Sequence, residues 1–266
     1  MKDRVIEHVR KLLEENRIQG FLGLKEEDGH IKPYLFEETS ELREMDLGDY
    51  RESGDARYPL NGVLIHLTRS YPDATFGVLV RGCDERGLIE LFKWNQLSHE
   101  KVILVGIPCS GERARACACG KPYPDSSVIE ERSDGISEDE RVSEIESLSL
   151  KERFRFWEQH FERCIKCYGC RNICPMCFCT DCSLEEEELV GKKGVLPPEA
   201  PIFHLVRAIH MIGRCVDCGL CEEACPADIP LRTLYKKVAE IVKTETGYQV
   251  GESLTVKCPY NVLSSE

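Results

Sequence analysis

Cys164-Ile165-Lys166-Cys167-Tyr168-Gly169-Cys170-Arg171-Asn172-Ile173-Cys174-Pro175 and Cys215-Val216-Asp217-Cys218-Gly219-Leu220-Cys221-Glu222-Glu223-Ala224-Cys225-Pro226 repeat one spacing, Cys-x-x-Cys-x-x-Cys-x-x-x-Cys-Pro. They lie in a chain of 266 residues that carries 16 cysteines. In a small secreted chain such a density would suggest disulfides. Here thiols two residues apart converge on one point from a single loop, which suits metal and suits a disulfide poorly. The amino terminus, Met1-Lys2-Asp3-Arg4, passes directly into an amphipathic pattern with no apolar signal-peptide core. No apolar run approaches the roughly eighteen residues that a membrane span needs. The net charge of −12 argues against a nucleic-acid or anionic-membrane surface, both of which call for basic patches. The expectation is a cytoplasmic protein in a well-reduced or anaerobic compartment.

The spacing also selects the kind of metal. A 4Fe–4S cubane presents four iron corners, each wanting one thiolate. Three cysteines at two-residue gaps can wrap three corners, while a fourth beyond a wider gap points elsewhere. In bacterial two-cluster ferredoxins that fourth cysteine ligates the other cluster. The same assignment here gives one cluster to Cys164, Cys167, Cys170 and Cys225, and a second to Cys215, Cys218, Cys221 and Cys174. The proline after each fourth cysteine fixes φ and turns the chain away once the ligand is placed. Gly169 and Gly219 fit a backbone that passes close to sulfide with its amides inward. Two zinc ribbons would instead show Cys-x-x-Cys pairs separated by a dozen or more residues.

Eight cysteines lie outside these runs: Cys83, Cys109, Cys117, Cys119, Cys177, Cys179, Cys182 and Cys258. Cys177-x-Cys179-x-x-Cys182 follows the first run at once. Cys109 stands at the carboxyl end of a predicted strand, where α/β sheets place their ligand crevice. A third cluster drawn from Cys109, Cys117, Cys119, Cys177, Cys179 and Cys182 is the expectation. Cys258 reads as a small buried hydrophobe, and Cys83 as either that or a ligand.

The elements around the loops give the fold class: an α/β amino-terminal half followed by an α-rich dicluster 4Fe–4S ferredoxin-like module. Helical spacing covers residues 5–13, extended pieces cover 20–36, and helices are predicted over 61–69 and 88–97. Continuous apolar runs at 75–80 and 102–107 predict parallel strands covered on both faces. Residues 125–150 hold nine Asp or Glu against two Arg and read as a solvated acidic linker. The domain limits are therefore 1–124, 125–150, 151–250 and a tail 251–266. Phe154, Trp157 and Phe161 form an aromatic stripe expected to pack as core. Between the loops come an acidic patch at 185–188, a Gly/Pro hinge (Gly191, Gly194, Pro197, Pro198) and an apolar helix over 201–212. A last helix runs from Leu231 and stops near Gly247. His204 and His210 read as satisfied core histidines, and Arg207 and Arg214 as solvated side chains by default, with offset of the clusters' negative charge as the alternative. No dinucleotide fingerprint, P-loop or nucleophile–base signature appears, so no catalytic residue is assigned.

Gly77-Val78-Leu79-Val80-Arg81-Gly82-Cys83-Asp84-Glu85-Arg86-Gly87-Leu88-Ile89-Glu90-Leu91, Leu104–Cys109 and Cys117-Ala118-Cys119-Gly120-Lys121-Pro122-Tyr123-Pro124, together with both cysteine runs, resemble the beta subunits of deazaflavin-coenzyme-reducing hydrogenases and formate dehydrogenases. The resemblance covers roughly residues 60–125 and 164–250. It implies an electron-transfer subunit of a multi-subunit anaerobic redox complex, with other redox subunits as partners. It also implies a third cluster near Cys109, Cys117 and Cys119, although Cys117-x-Cys119 departs from the family's Cys-x-x-Cys. A rival reading comes from the same source: a subunit carrying flavin adenine dinucleotide (FAD) that reduces the deazaflavin coenzyme or a nicotinamide.

Overall fold

Five residues in a row, Phe76 to Val80, are buried as strand β4, and this strand organises the first of two units. The computed structural model describes residues 1–48, 57–136, 139–186, 188 and 200–260. Unit one comprises Met1–Ser137 with Gly251–Thr255, and unit two Glu138–Val250 with Val256–Glu266. The predicted Gly/Pro hinge at 191–198 lies outside the described residues, as does part of the acidic patch.

In unit one the strands are β1 (Gly20–Glu27), β2 (His30–Phe36), β3 (Met45–Asp46), β4 and β5 (Val102–Gly106), in the order β2-β1-β4-β5 with β3 also on β1. β4 runs parallel to β1 and β5, as expected for a run buried on both faces. β2 and β3 pair antiparallel to β1, so the sheet is mixed. The β1–β2 hairpin turns at Asp28 and Gly29, both at positive φ, the requirement of a tight hairpin turn. Helix α1 (Lys2–Glu14) buries Val5, Val9 and Leu12, and α2 (Leu60–Ser70) buries Leu60, Leu64 and Ile65.

Helix α3 (Gly82–Lys93) begins six residues before the predicted start and stops at Lys93 instead of Leu97. Its early start rests on the Asp84 carboxylate, which accepts from the Arg81 amide at 2.9 Å and so caps the helix. Two glycines in its first two turns hid this start, because glycine disfavours helix.

The described residues of this stretch, 125–136 and 139–150, are structured, unlike the linker expected from its charge. The Gly106 amide donates to the Ser126 carbonyl (3.1 Å) and the Val128 amide to the Gly106 carbonyl (3.0 Å). The Glu85 carboxylate accepts from the Asp125 and Ser126 amides at 2.6 and 2.8 Å, and Ile129 is buried. A short helix α4 (Gly111–Ala116) precedes this stretch, and α5 (Glu140–Ser147) begins unit two with Val142 buried. Charge composition reported the exposed side of these residues and missed the few apolar anchors. In the carboxyl-terminal tail, Gly251 donates to the buried Glu90 carboxylate at 2.6 Å, so Gly251–Thr255 belongs to unit one.

Unit two is helical: α5, then α6 (Leu150–Phe161), α7 (Gly169–Asn172), α8 (Ala200–His210), α9 (Leu220–Glu223) and α10 (Leu231–Thr246). Ser149 and Glu152 cap α6 reciprocally, and Gly247 ends α10 in the left-handed conformation at φ 72°. The aromatic stripe of α6 is buried at one end only. Phe154 is 67% exposed, whereas Phe161 is buried and stacks on His204 of α8 at 4.5 Å. Cys258 packs with Val242 and Tyr248 in a small core, as expected of a buried hydrophobe. Among the described residues no helix is long and apolar enough to cross a membrane.

Candidate metal centres

The two cysteine loops follow the same path. Loop one leaves α6 with the Cys164 amide bonded to the Phe161 carbonyl (3.0 Å), and loop two leaves α8 with Cys215 bonded to Met211 (3.1 Å). Lys166 and Asp217, at equivalent places, have φ of 48° and 57°; Tyr168 and Gly219, two residues later, have 61° and 81°. These left-handed residues turn successive thiols inward. Each loop then makes one helical turn, α7 or α9. The amide of Lys166 donates to Cys164 Sγ at 3.4 Å, and the Asp217 amide does the same for Cys215. α7 and α9 pack together, and a Cβ on Gly169 would come within 2.9 Å of the Ala224 carbonyl. Only glycine there lets loop one approach the residue beside Cys225.

This interlocking produces two cavities. The first, about 330 Å³, is walled by Cys164, Cys167, Cys170 and Cys225, with Lys166 and His204 beside them. The second, about 360 Å³, is walled by Cys215, Cys218, Cys221 and Cys174, with Arg207 and Tyr235. Each cavity thus gathers three thiols of one loop and the fourth of the other. Among the described residues no three His, Cys, Asp or Glu groups gather tightly enough for a single metal ion. No disulfide joins any of the sixteen cysteines.

The polar atoms lining these cavities supply an independent test of fit. His204, Arg207 and Tyr235 are each only 1% exposed. Yet both ring nitrogens of His204, Nε of Arg207 and Oη of Tyr235 have no hydrogen-bond partner. An unsatisfied buried polar group costs about 1–3 kcal/mol. Unpartnered N–H and O–H groups on residues that line two thiol-walled cavities fit an anionic, sulfur-rich occupant that accepts hydrogen bonds, which is the character of a thiolate-bound cubane.

Electrostatics agree with that reading. Burial pushes the thiols of Cys170 and Cys215 up, to about 11 and about 12, so both stay protonated at neutral pH until a metal displaces the protons. Burial and the neighbouring Arg207 push His204 down to about 4, which leaves a neutral ring with a single N–H. Arg207 donates to the Cys170 carbonyl at 2.8 Å and to Cys177 Sγ at 3.3 Å. It is buried, not solvated as its charge suggested. His204 likewise is buried but unsatisfied. Charge type and helical spacing could not separate these residues from ordinary core and surface; burial against the cysteine loops does.

The six cysteines expected to supply a third cluster fall into two groups. Cys177 hydrogen-bonds to Cys174 and to Arg207 beside the second cavity, while Cys179 is exposed and Cys182 opens a short turn. Cys109, Cys117 and Cys119 belong to unit one. Parallel pairing brings the carboxyl ends of β4 and β5 to one edge, where Arg81 Nη1 lies 3.3 Å from the Pro108 carbonyl and 3.6 Å from Cys109 Sγ. Burial pushes the Cys109 thiol up, opposed by Arg81 and Arg113. α4 carries Arg113, and Cys117 closes it.

No family model matches the chain. It is 41% identical over 106 residues to the "F420-dependent formate dehydrogenase subunit beta" of Methanocaldococcus jannaschii, covering 40% of this chain and 28% of that one. It is 42% identical over 95 residues to the "F420-dependent formate dehydrogenase 1 subunit beta" of Methanococcus maripaludis, covering 36% and 24%. The chain therefore spans about a quarter of the length of the curated relatives it matches. The similarity supports the coarse reading of a subunit akin to oxidoreductase beta subunits.

Proposed function

We propose that this chain is an iron–sulfur electron-transfer subunit of a multi-subunit oxidoreductase, relaying electrons through two 4Fe–4S clusters. Cys164, Cys167, Cys170 and Cys225 hold one cluster; Cys215, Cys218, Cys221 and Cys174 hold the other. The observation that carries this reading is the lining of the two cavities, each by three cysteines of one loop and the crossing cysteine of the other. The clusters supply one-electron transfer with no bond made or broken in a substrate. The chain's own residues hold thiols at fixed places, keep the thiols of Cys170 and Cys221 out of water, and aim amide, imidazole and guanidinium donors at the cavities.

A third cluster near Cys109, Cys117 and Cys119 belongs to the same proposal, as does assembly with other redox subunits in a reduced cytoplasmic compartment. Arg81 and Cys109 at the carboxyl edge of the parallel strands favour a second reading, a flavin- or deazaflavin-binding crevice in unit one. An iron, sulfide and flavin count on the anaerobically purified chain tests both. About eight irons and eight sulfides without flavin are expected for two clusters, and about twelve for three. Zinc in place of iron would overturn the proposal, and bound FAD that turns over with the deazaflavin coenzyme would transfer it to the second reading.

A further inference from the structure

Helix α8 lies between the two cysteine loops in sequence and presents a different side chain to each cavity. His204 lines the first and Arg207, three residues on, lines the second. Spacing of three puts both on one face of the helix. That face is buried at Phe203, His204, Arg207, Ala208 and Met211, while Ile202, Leu205 and Ile209 are exposed. Each of the two side chains keeps at least one buried nitrogen without a protein partner, and Tyr235 of α10 adds an unpartnered hydroxyl to the second cavity. Arg207's other two nitrogens are already committed, Nη1 to Cys177 Sγ and Nη2 to the Cys170 carbonyl, so the guanidinium is held in place with Nε left over. His204 is clamped between rings, stacked on Phe161 and edge-on to Phe203.

Resting on the two-cluster reading, we propose that α8 tunes the two clusters separately: His204 donates an N–H hydrogen bond to the cluster of the first cavity, and Arg207, with Tyr235, donates to the cluster of the second. Donors aimed at cluster sulfur stabilise the added electron and raise the reduction potential. The second cavity is lined by two such residues, Arg207 and Tyr235, and the first by His204 alone, so the second cluster gains more from these donors than the first. Lys166 beside the first cavity, and Asp217 with Arg232 beside the second, form a fixed background. Arg207 also donates to the carbonyl of Cys170, a ligand of the first cluster, so the signature of α8 is a shift larger at the cavity each side chain lines than at the other.

The test is a redox titration of the full-length, cluster-loaded chain, followed by paramagnetic resonance. Cys167→Ser and Cys218→Ser identify which signal belongs to which loop. Arg207→Gln is expected to move the reduction equilibrium of the second-loop cluster about tenfold toward the oxidised form, about 59 mV for one electron, and Arg207→Lys to restore most of it. Tyr235→Phe should move the same cluster in the same direction by about threefold, and His204→Phe, which keeps the ring stack, should move mainly the first-loop cluster by a similar factor. Two intact clusters whose potentials stay put, or shift more on the wrong loop, would overturn the inference. If Arg207→Gln fails to retain iron, Tyr235→Phe and His204→Phe decide it. A wild-type chain without two clusters defeats the functional reading itself, and the iron count made before the titration tells the two failures apart.

Discussion

Loop one and loop two share a backbone and differ in everything that surrounds it. Tyr168 occupies a left-handed position that Gly219 occupies in loop two; the tyrosine is held there by its hydroxyl, which donates to the Leu184 carbonyl at 2.6 Å. Lys166 in loop one has Asp217 as its counterpart, and Asp217 is gripped by both Arg232 Nε (2.6 Å) and Nη2 (3.0 Å) from α10. Loop two is further braced by Arg141 of α5 on Glu222 at 2.6 Å, while Asp139, which caps α5, pairs with Lys236 of α10 at 2.5 Å. Loop one is instead packed by Phe161 and Phe203. Cysteine spacing therefore specifies a backbone path, and the helices that cover the path decide the environment of whatever it holds.

The largest effects should come from breaking the crossing. Cys174→Ser is expected to remove the loop-two cluster and about half the iron while sparing loop one; Cys225→Ser should do the reverse. Iron analysis with paramagnetic resonance reads this directly, and loss of the cluster on the mutated residue's own loop would refute the crossed arrangement.

Removing the brace comes next. Deleting 139–147 takes away Val142, whose burial is worth about 1.5–3 kcal/mol, and ion pairs worth about 0.2–1 kcal/mol each. Iron of the loop-two cluster should then be stripped faster by a chelator, with the loop-one rate unchanged. Equal acceleration of both would mean that α5 supports unit two as a whole.

Smaller changes compare the left-handed positions. Gly219→Ala should cost about 1–2 kcal/mol, because a Cβ is disfavoured at φ 81°. Tyr168→Phe should cost about 0.5–1.5 kcal/mol for the lost hydrogen bond. Anaerobic thermal melts of the loaded chain would show the first as the larger drop.

A separate effect, read without the clusters, concerns pH in the metal-free, reduced chain. Burial raises Cys170 to about 11 and Cys215 to about 12, above the roughly 8.5 of an unfolded thiol. A raised folded value contributes stability that is complete below about pH 8.5 and is lost as pH climbs toward 11 and 12. Melts of the metal-free chain should fall across that window, and the loaded chain, whose ligands are already deprotonated, should not follow.

Much of this was legible in the residues themselves. Apolar runs marked β4 and β5, helical periodicity marked α1, α2 and α10, and two-residue cysteine gaps marked both loops, because each of these signals is local. The start of α3 escaped notice because a capping carboxylate outweighed two glycines. The structure of 125–136 and 139–150 is not legible in composition because Ile129, Val142 and a few backbone hydrogen bonds carry it against many acidic side chains.

What sequence alone determined about this protein is the pair of cysteine loops, since thiol spacing constrains geometry over a few residues. That His204, Arg207 and Tyr235 line the thiol-walled cavities and keep unpartnered polar atoms was decided only by tertiary structure. The physical reason is distance along the chain: an arginine on a helix reads as surface until elements remote in sequence close over it.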